Sequence, residues 1–347
     1  MTHLAATIYS ASVIPTSRDR LPRQTRFRQF LPKTRSSRSK TAVRARLFAA
    51  GCLILQVIAI TNVAQEKMDS IKIAVLDLYE GYPNEGMRCI RELIADFAAK
   101  AEPVRVTYDV FDVRQKDEVA DLGYDLYISS GGPGSPVDSE GSEWERRYFK
   151  LMDNLRDHNQ RHADQKKYVF LICHSFQVFC RHYGFGEITK RRSTSFGVFP
   201  VHRTGAGLRE PFFEKLEEPF WAVDSRDWQV TGFDQDKLHY WGGSVLCYEK
   251  IRPLVDLERA VMAVRFDDAF FGTQFHPEAD ADGMLHYFHL PEKRDFVIER
   301  HGEDKLRAMI RYLADPDKIA LTHDTVIPSF LNLALPTAQS WVLGLDS

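Results

Sequence analysis

Tyr168-Val169-Phe170-Leu171-Ile172-Cys173-His174-Ser175-Phe176-Gln177 decides the fold. An apolar run rich in β-branched residues stops at a cysteine, and a helix-compatible segment starts at once. That is the pattern of a buried strand turning sharply into a helix. Such a turn presents its last side chain at the carboxyl end of a sheet, with the helix N-terminus directly behind it. The free N–H groups and partial positive charge there favour a thiolate and a developing oxyanion. With sulfur in place of a hydroxyl, this is a nucleophile-elbow arrangement. The bland alternative is a buried and inert strand-end cysteine.

Working outward, the chain alternates strands and helices. Ile71 to Asp77 reads as a buried first strand, and after Gly81-Tyr82-Pro83 the residues Met87, Ile90, Leu93, Ile94 and Phe97 recur at helical spacing. Val104 to Phe111 alternates as a second strand, Asp125 to Ile128 is a short third, and Trp144 to His162 is a charged amphipathic helix before the fourth strand, Lys167 to Ile172. This order predicts an α/β fold, a doubly wound and mostly parallel sheet with helices on both faces, whose sites lie beyond the carboxyl ends of the strands.

Two further segments fall at that rim. Ser129-Ser130-Gly131-Gly132-Pro133-Gly134-Ser135-Pro136 follows the third strand. It lacks GxGxxG and the Gly-Lys-Ser/Thr ending of a phosphate loop, and a tight connection is the plain reading. Its position also suits an oxyanion hole, formed by the N–H of Gly132 (or its neighbour Gly131) and that of His174. About a hundred residues on, the strand Ala260 to Phe266 and a turn lead to Phe270-Phe271-Gly272-Thr273-Gln274-Phe275-His276-Pro277-Glu278. His276 and Glu278 are two apart, so on an extended strand end they share a side. A carboxylate there holds the imidazole in the tautomer that accepts a thiol proton and later passes it to a leaving amine. A lone strand-end histidine would be structural. An elbow cysteine, a glycine loop and His-x-Glu in this order are far less expected by chance.

Composition narrows the partners. The 347 residues are 44% hydrophobic and 27% charged, ordinary for a globular chain. The formal charge of −2 hides an asymmetry, because residues 1–46 carry a net +10 and leave −12 on the remainder. An acidic body argues against nucleic acid as a partner. The five cysteines, at 52, 89, 173, 180 and 247, form no CxxC pair. They suit a reducing, cytoplasmic setting, and no metal site or cofactor is read from them. Residues 1–46 have a disordered composition, and Leu47 to Val63 is apolar but short for a membrane span of about 20 residues. A signal peptide, a membrane anchor, a targeting arm and a mistaken upstream start all remain open. The favoured reading starts the protein at Met68 and treats 1–67 as an extension the fold does not need. A membrane is a partner only if that extension is real. The expected organisation is 1–67 extension, 68–315 α/β domain and 316–347 tail. Within the domain's end, 303–314 is an amphipathic helix. The apolar tail is expected to dock on the body or on a second subunit.

Gly131-Gly132-Pro133-Gly134, Ile172-Cys173 with Gln177, and Gly272 to Glu278 together resemble the class I glutamine amidotransferases over about residues 70–285. The nearest resemblance is to the glutaminase domain of GMP synthase and its stand-alone relatives. It implies a flavodoxin-like sheet and hydrolysis of the glutamine side-chain amide through a γ-glutamyl thioester, releasing ammonia. It also implies Cys173 as nucleophile, His276 as base and acid, Glu278 as orienting carboxylate, and Gln177 and Gly131 beside the substrate.

The sequence departs from the family in its substrate loops. The elbow has Leu171 where a glycine is usual. Ser225-Arg226-Asp227-Trp228-Gln229-Val230 stands where such domains have Ser-His-Gly-Asp-x-Val, a loop that recognises the amino-acid end of glutamine. Phe196-Gly197 keeps the aromatic-Gly of another substrate loop, with Ser195 for the usual Glu. Phe196, Gly197, Ser225 and Arg226 are therefore the expected contacts of a small substrate, glutamine or a related amide. Arg226 reads either as a holder of a substrate carboxylate or as a surface ion-pairing residue. No Ser-Gly-Gly-x-Asp-Ser phosphate loop follows Glu278, so an ammonia-accepting synthase is expected on a separate chain. Three functions remain open: a glutamine amidohydrolase, a hydrolase of another γ-glutamyl or amide substrate with the same triad, and an inactive binding or regulatory subunit.

Overall fold

The structure is a computed structural model that describes residues 70–252, 256–315 and 318–335. The extension 1–67 and the last part of the tail lie outside the described residues. β1 (Ser70–Asp77), β2 (Arg105–Asp112), β3 (Leu126–Ser129), β4 (Tyr168–Ile172) and β9 (Phe270–Thr273) are mutually parallel, in the order β2-β1-β3-β4-β9. Beyond β9 the same sheet continues antiparallel through β8 (Val261–Arg265), β7 (Ser244–Glu249), β5 (Glu187–Arg203) and β6 (Phe220–Thr231). The result is a flavodoxin-like α/β sheet of nine strands, mixed in direction, whose parallel half carries the crossover helices.

Strand alternation sorts the core onto the two faces. Ile73 and Val75 of β1 and Phe170 and Ile172 of β4 join one apolar cluster, while Ala74, Leu76, Val169 and Leu171 join the other. Strands buried on both sides are what a sheet covered by helices requires. Helix α1 (Glu85–Lys100) is capped by Asn84, which accepts from the Met87 N–H, and it lays Met87, Ile90, Leu93, Ile94 and Phe97 on the first face. Helices α3 (Glu143–Arg161) and α4 (His174–His182) cover the second, with α2 (Val113–Lys116) a single turn between β2 and β3.

The later helices were less legible in sequence. α5 (Gln235–Tyr240) precedes β7, and α6 (Ala281–His289), α7 (Pro291–His301) and α8 (Glu303–Leu313) form a cap over Phe196, Val198 and Val223. Next come α9 (Ile319–His323) and α10 (Val326–Leu331), in which Val326, Ile327, Phe330 and Leu331 are fully buried in the first cluster. Phe330 lies edge-on to Phe170, with ring centroids 5.2 Å apart. Phe330→Ala should therefore lower the unfolding free energy by roughly 3–5 kcal/mol, read as a lower urea midpoint with unchanged slope. No described helix is long and apolar enough to cross a membrane.

Candidate active site

β4 ends at Ile172; the next residue, Cys173, adopts φ 47° and ψ −96°, and α4 begins directly after it. A non-glycine residue in this region stores on the order of 1–3 kcal/mol of strain and persists only when its surroundings fix it. Here they do. The Cys173 N–H donates to Thr273 O at 2.7 Å, its carbonyl accepts from the Gln177 N–H at 2.9 Å, and the Ser175 hydroxyl accepts from the Ile172 N–H at 2.8 Å. Leu171, where family elbows carry a glycine, is paired across the ladder with Gly272. A Cβ on Gly272 would come within 2.7 Å of the Phe176 ring, so the room at the elbow comes from the neighbouring strand.

His276 reaches the same point from the other side. Beyond β9 the chain crosses to β6, where the His276 N–H donates to Val223 O at 2.9 Å, and it then turns through Pro277. His276 Nδ1 lies 2.8 Å from Glu278 Oε1, and Cys173 and His276 line the same cleft. The sequence reading reached this pairing by strand alternation. In the structure Glu278 sits in a turn, which brings the carboxylate under the ring by another route. Burial pulls the imidazole pKa down, but the Glu278 carboxylate and the Cys173 sulfur outweigh it, and His276 is held well above 6.5. That imidazolium contributes stability that is complete below pH 6.5 and is lost as pH rises through the raised value.

Around this core lies a cleft of about 580 Å³ lined by Cys173, His276, Glu278, Gly132, His174, Gln177, Phe196, Ser225 and Arg226, among others. The His174 N–H opens α4 and has no intrahelical acceptor. Its side chain is buried, and burial, then Arg114 and Arg181, drives its pKa down to about 3, so it is neutral and a poor acid or base. Gly132 approaches Leu78 O so closely that a Cβ would stand 2.4 Å from it. Arg114 ties this glycine loop down by donating to Pro133 O at 2.7 Å and to Leu78 O at 3.2 Å.

Several expected substrate contacts are placed differently. Gly131 is not in the cleft lining. It backs the imidazole instead, and a Cβ there would stand 2.9 Å from His276 Cε1. Gly131→Ala should therefore displace the ring and cut turnover about 10²-fold while the melting temperature barely moves, measured by steady-state kinetics beside thermal denaturation. Gly197 likewise leaves the cleft. Its φ of 135° and the Met309 side chain, 2.6 Å from where a Cβ would be, mark it as a packing position under α8. Arg226 lines the cleft, but its reading as a surface ion-pairing residue is corrected by its burial. Alternation along β6 sends Asp224 and Arg226 inward and leaves Ser225 and Asp227 exposed. The Arg226 side chain is 1% exposed and donates from Nε to both oxygens of Asp224, at 2.8 and 3.0 Å. It is neither a surface group nor a free guanidinium. The Asp224 carboxylate also takes the Ser195 hydroxyl at 2.7 Å.

Gln177 spends its amide on Trp228 O (3.0 Å) and Gln274 Oε1 (3.1 Å), and Gln274 in turn points Nε2 at Cys173 Sγ, 3.6 Å away. Ser225 O is 3.9 Å from the same sulfur. Tyr79, which sequence reading passed over, lines the cleft from the end of β1. Its pKa is raised well above 10 by burial, then by Glu278 and Cys173. His323 of α9 was also missed, and it contacts Glu278 O through Nδ1 at 2.9 Å. Only its contact in the folded chain distinguishes it. Among the described residues, no three His, Cys, Asp or Glu side chains gather as a metal site.

The chain belongs to the class I glutamine amidotransferase family, a family of glutamine amide hydrolysis or transfer whose domains often pair with synthase subunits. Residues 74–286 match the family described as Glutamine amidotransferase class-I. Among solved structures it is similar to a glutamine amidotransferase from Thermotoga maritima, with 13% identity and a TM-score of 0.53 over 77% of this chain and 99% of that one. It is also similar to SMU.1228c, with 15% identity and a TM-score of 0.51 over 77% and 100%. At these identities the likeness is one of fold. No curated protein matches the sequence.

Proposed function

We propose that this protein hydrolyses the side-chain amide of glutamine through a thioester on Cys173 and releases ammonia. The observation that carries the reading is the Glu278–His276 contact of 2.8 Å beside a strained elbow cysteine at the floor of one cleft. The Cys173 sulfur attacks the amide carbon, and the N–H groups of Gly132 and His174 receive the developing oxyanion. His276 gives its proton to the leaving nitrogen, the C–N bond breaks and ammonia departs. Water then attacks the thioester, His276 takes the water's proton, the C–S bond breaks, and glutamate leaves with the thiolate restored. Glu278 keeps the ring in the productive tautomer throughout. In this reading Phe196 and Ser225 border the substrate, the triad domain is 68–315, and the ammonia acceptor is a synthase on another chain. The cytoplasm, where glutamine and a reducing environment coincide, is the proposed location.

The test is the full chain incubated with glutamine and assayed for ammonia and glutamate in equal amounts. Formation of neither would overturn the reading. A second reading keeps the same covalent chemistry on a γ-glutamyl amide larger than free glutamine. The cleft volume of about 580 Å³ and the engagement of Arg226 by Asp224 favour it. Release of glutamate from such amides at a higher kcat/KM than from glutamine would select it.

A further inference from the structure

A second cavity, of about 220 Å³, lies behind the cleft and shares Thr194 and Phe196 with it. Its walls are β5, β6, the end of β7 and α8. Four cations line it (Arg191, Lys250, Arg252 and Lys305) against two carboxylates, Asp224 and Glu249. Both carboxylates are already engaged. Asp224 is held by Arg226, and Glu249 by Arg191 at 2.9 Å and Arg252 at 2.8 Å. The charge in the cavity is therefore unbalanced toward positive.

The two lysines sharpen this imbalance. Lys250 Nζ stands 4.6 Å and Lys305 Nζ 4.3 Å from the centroid of the same ring, Phe199, and neither has a carboxylate partner among the described residues. A shared aromatic ring offsets only part of the repulsion between two ammonium groups. Burial, then Lys250, pulls the Lys305 pKa below its ordinary value. A third group is also left over. The Arg191 side chain is 8% exposed, yet its Nε is buried with no hydrogen-bond partner. Arg191 sits where the β5–β6 register breaks, between Lys190 and Ser195, and such bulges re-aim side chains out of the ladder. An orphaned guanidinium N–H and two like charges facing one ring are costly without an occupant.

We propose that this cavity is a binding site for a phosphate group, held by Lys250, Lys305 and the Nε of Arg191. A dianion matches the excess of two positive charges on the lining residues, and phosphate oxygens suit both the ammonium point charges and the guanidinium donor. The site does not depend on the amide chemistry proposed above, and its test reads binding without turnover.

The test is calorimetric titration of the full chain with inorganic phosphate, with sodium chloride at matched ionic strength as the blank. Saturable binding is expected, weakened at least tenfold by Lys305→Gln and abolished by Lys250→Gln with Lys305→Gln, and unaffected by Lys116→Gln on the exposed surface. In phosphate-free buffer the double variant should melt at or above the parent, because a repulsive pair is gone. Phosphate should raise the melting temperature of the parent alone. If the double variant does not fold, Lys305→Gln alone decides. O-phosphoserine, run in parallel, separates a phosphomonoester from free phosphate as the source. No saturable binding, equal binding by parent and Lys305→Gln, or equally tight binding of succinate would each overturn the proposal.

Discussion

Cys173→Ala should abolish ammonia release from glutamine, a fall of about 10⁴-fold or more, because members of a nucleophilic triad act as one unit and losing the nucleophile removes nearly the whole effect. Stability should change little. Cys173 is 5% exposed and the polar neighbours of its sulfur, Ser225 O at 3.9 Å and the Gln274 amide at 3.6 Å, are long contacts. Loss of turnover with an unaltered melting curve is the expected result, and a parent-like rate in the variant would remove Cys173 from the chemistry. The same pair of proteins separates the remaining functions. A Cys173 that alkylates readily in a parent inactive on glutamine points to another amide substrate, and an inert thiol points to a binding subunit.

Glu278→Gln is the second large effect, on the order of 10³–10⁴-fold in kcat, since a neutral amide no longer enforces the tautomer that accepts the thiol proton. Its signature is a pH shift. In the parent, Glu278 is the foremost contribution raising the His276 pKa against burial. Without that charge the His276 pKa falls. The titration of His276, followed by NMR, should move to lower pH in the variant, and a shift upward would contradict the assigned electrostatics. Glu278 is 1% exposed and its Oε2 has no hydrogen-bond partner, so the isosteric amide fits the site with little cost in packing.

Much of this site was readable in the chain. Cys173 followed from an apolar run ending in a helix start, and the structure puts it at a positive φ between β4 and α4. The inner parallel strands β1, β3, β4 and β9 were readable for the same reason, since burial on both faces leaves continuous apolar runs in the sequence. The antiparallel half was not. β5 is exposed or partly buried from Glu187 to Thr194, buried from Ser195 to Val198, and interrupted by a bulge, so its pattern carries no single period. The burial of Arg226 was missed because only its first partner is local: Asp224 lies two residues before it on the same face of β6, whereas Ser195 and Glu249 join the pair only when β5, β6 and β7 come together.

Composition and periodicity alone determined that this chain forms a covered α/β sheet, and the spacing of Cys173, the glycine loop and His-x-Glu named the groups that meet at its rim. Those are properties of neighbours along the chain, where steric preference and solvent exclusion act within a few residues. Tertiary structure alone decided which glycine makes room for the imidazole, that Gly272 relieves the elbow at Leu171, that His323 touches the carbonyl of Glu278, and that Lys250 and Lys305 face one ring. Each is a contact between segments 45 to 145 residues apart or across neighbouring strands. Such contacts arise from close packing of the whole sheet and its helices, which no local pattern encodes.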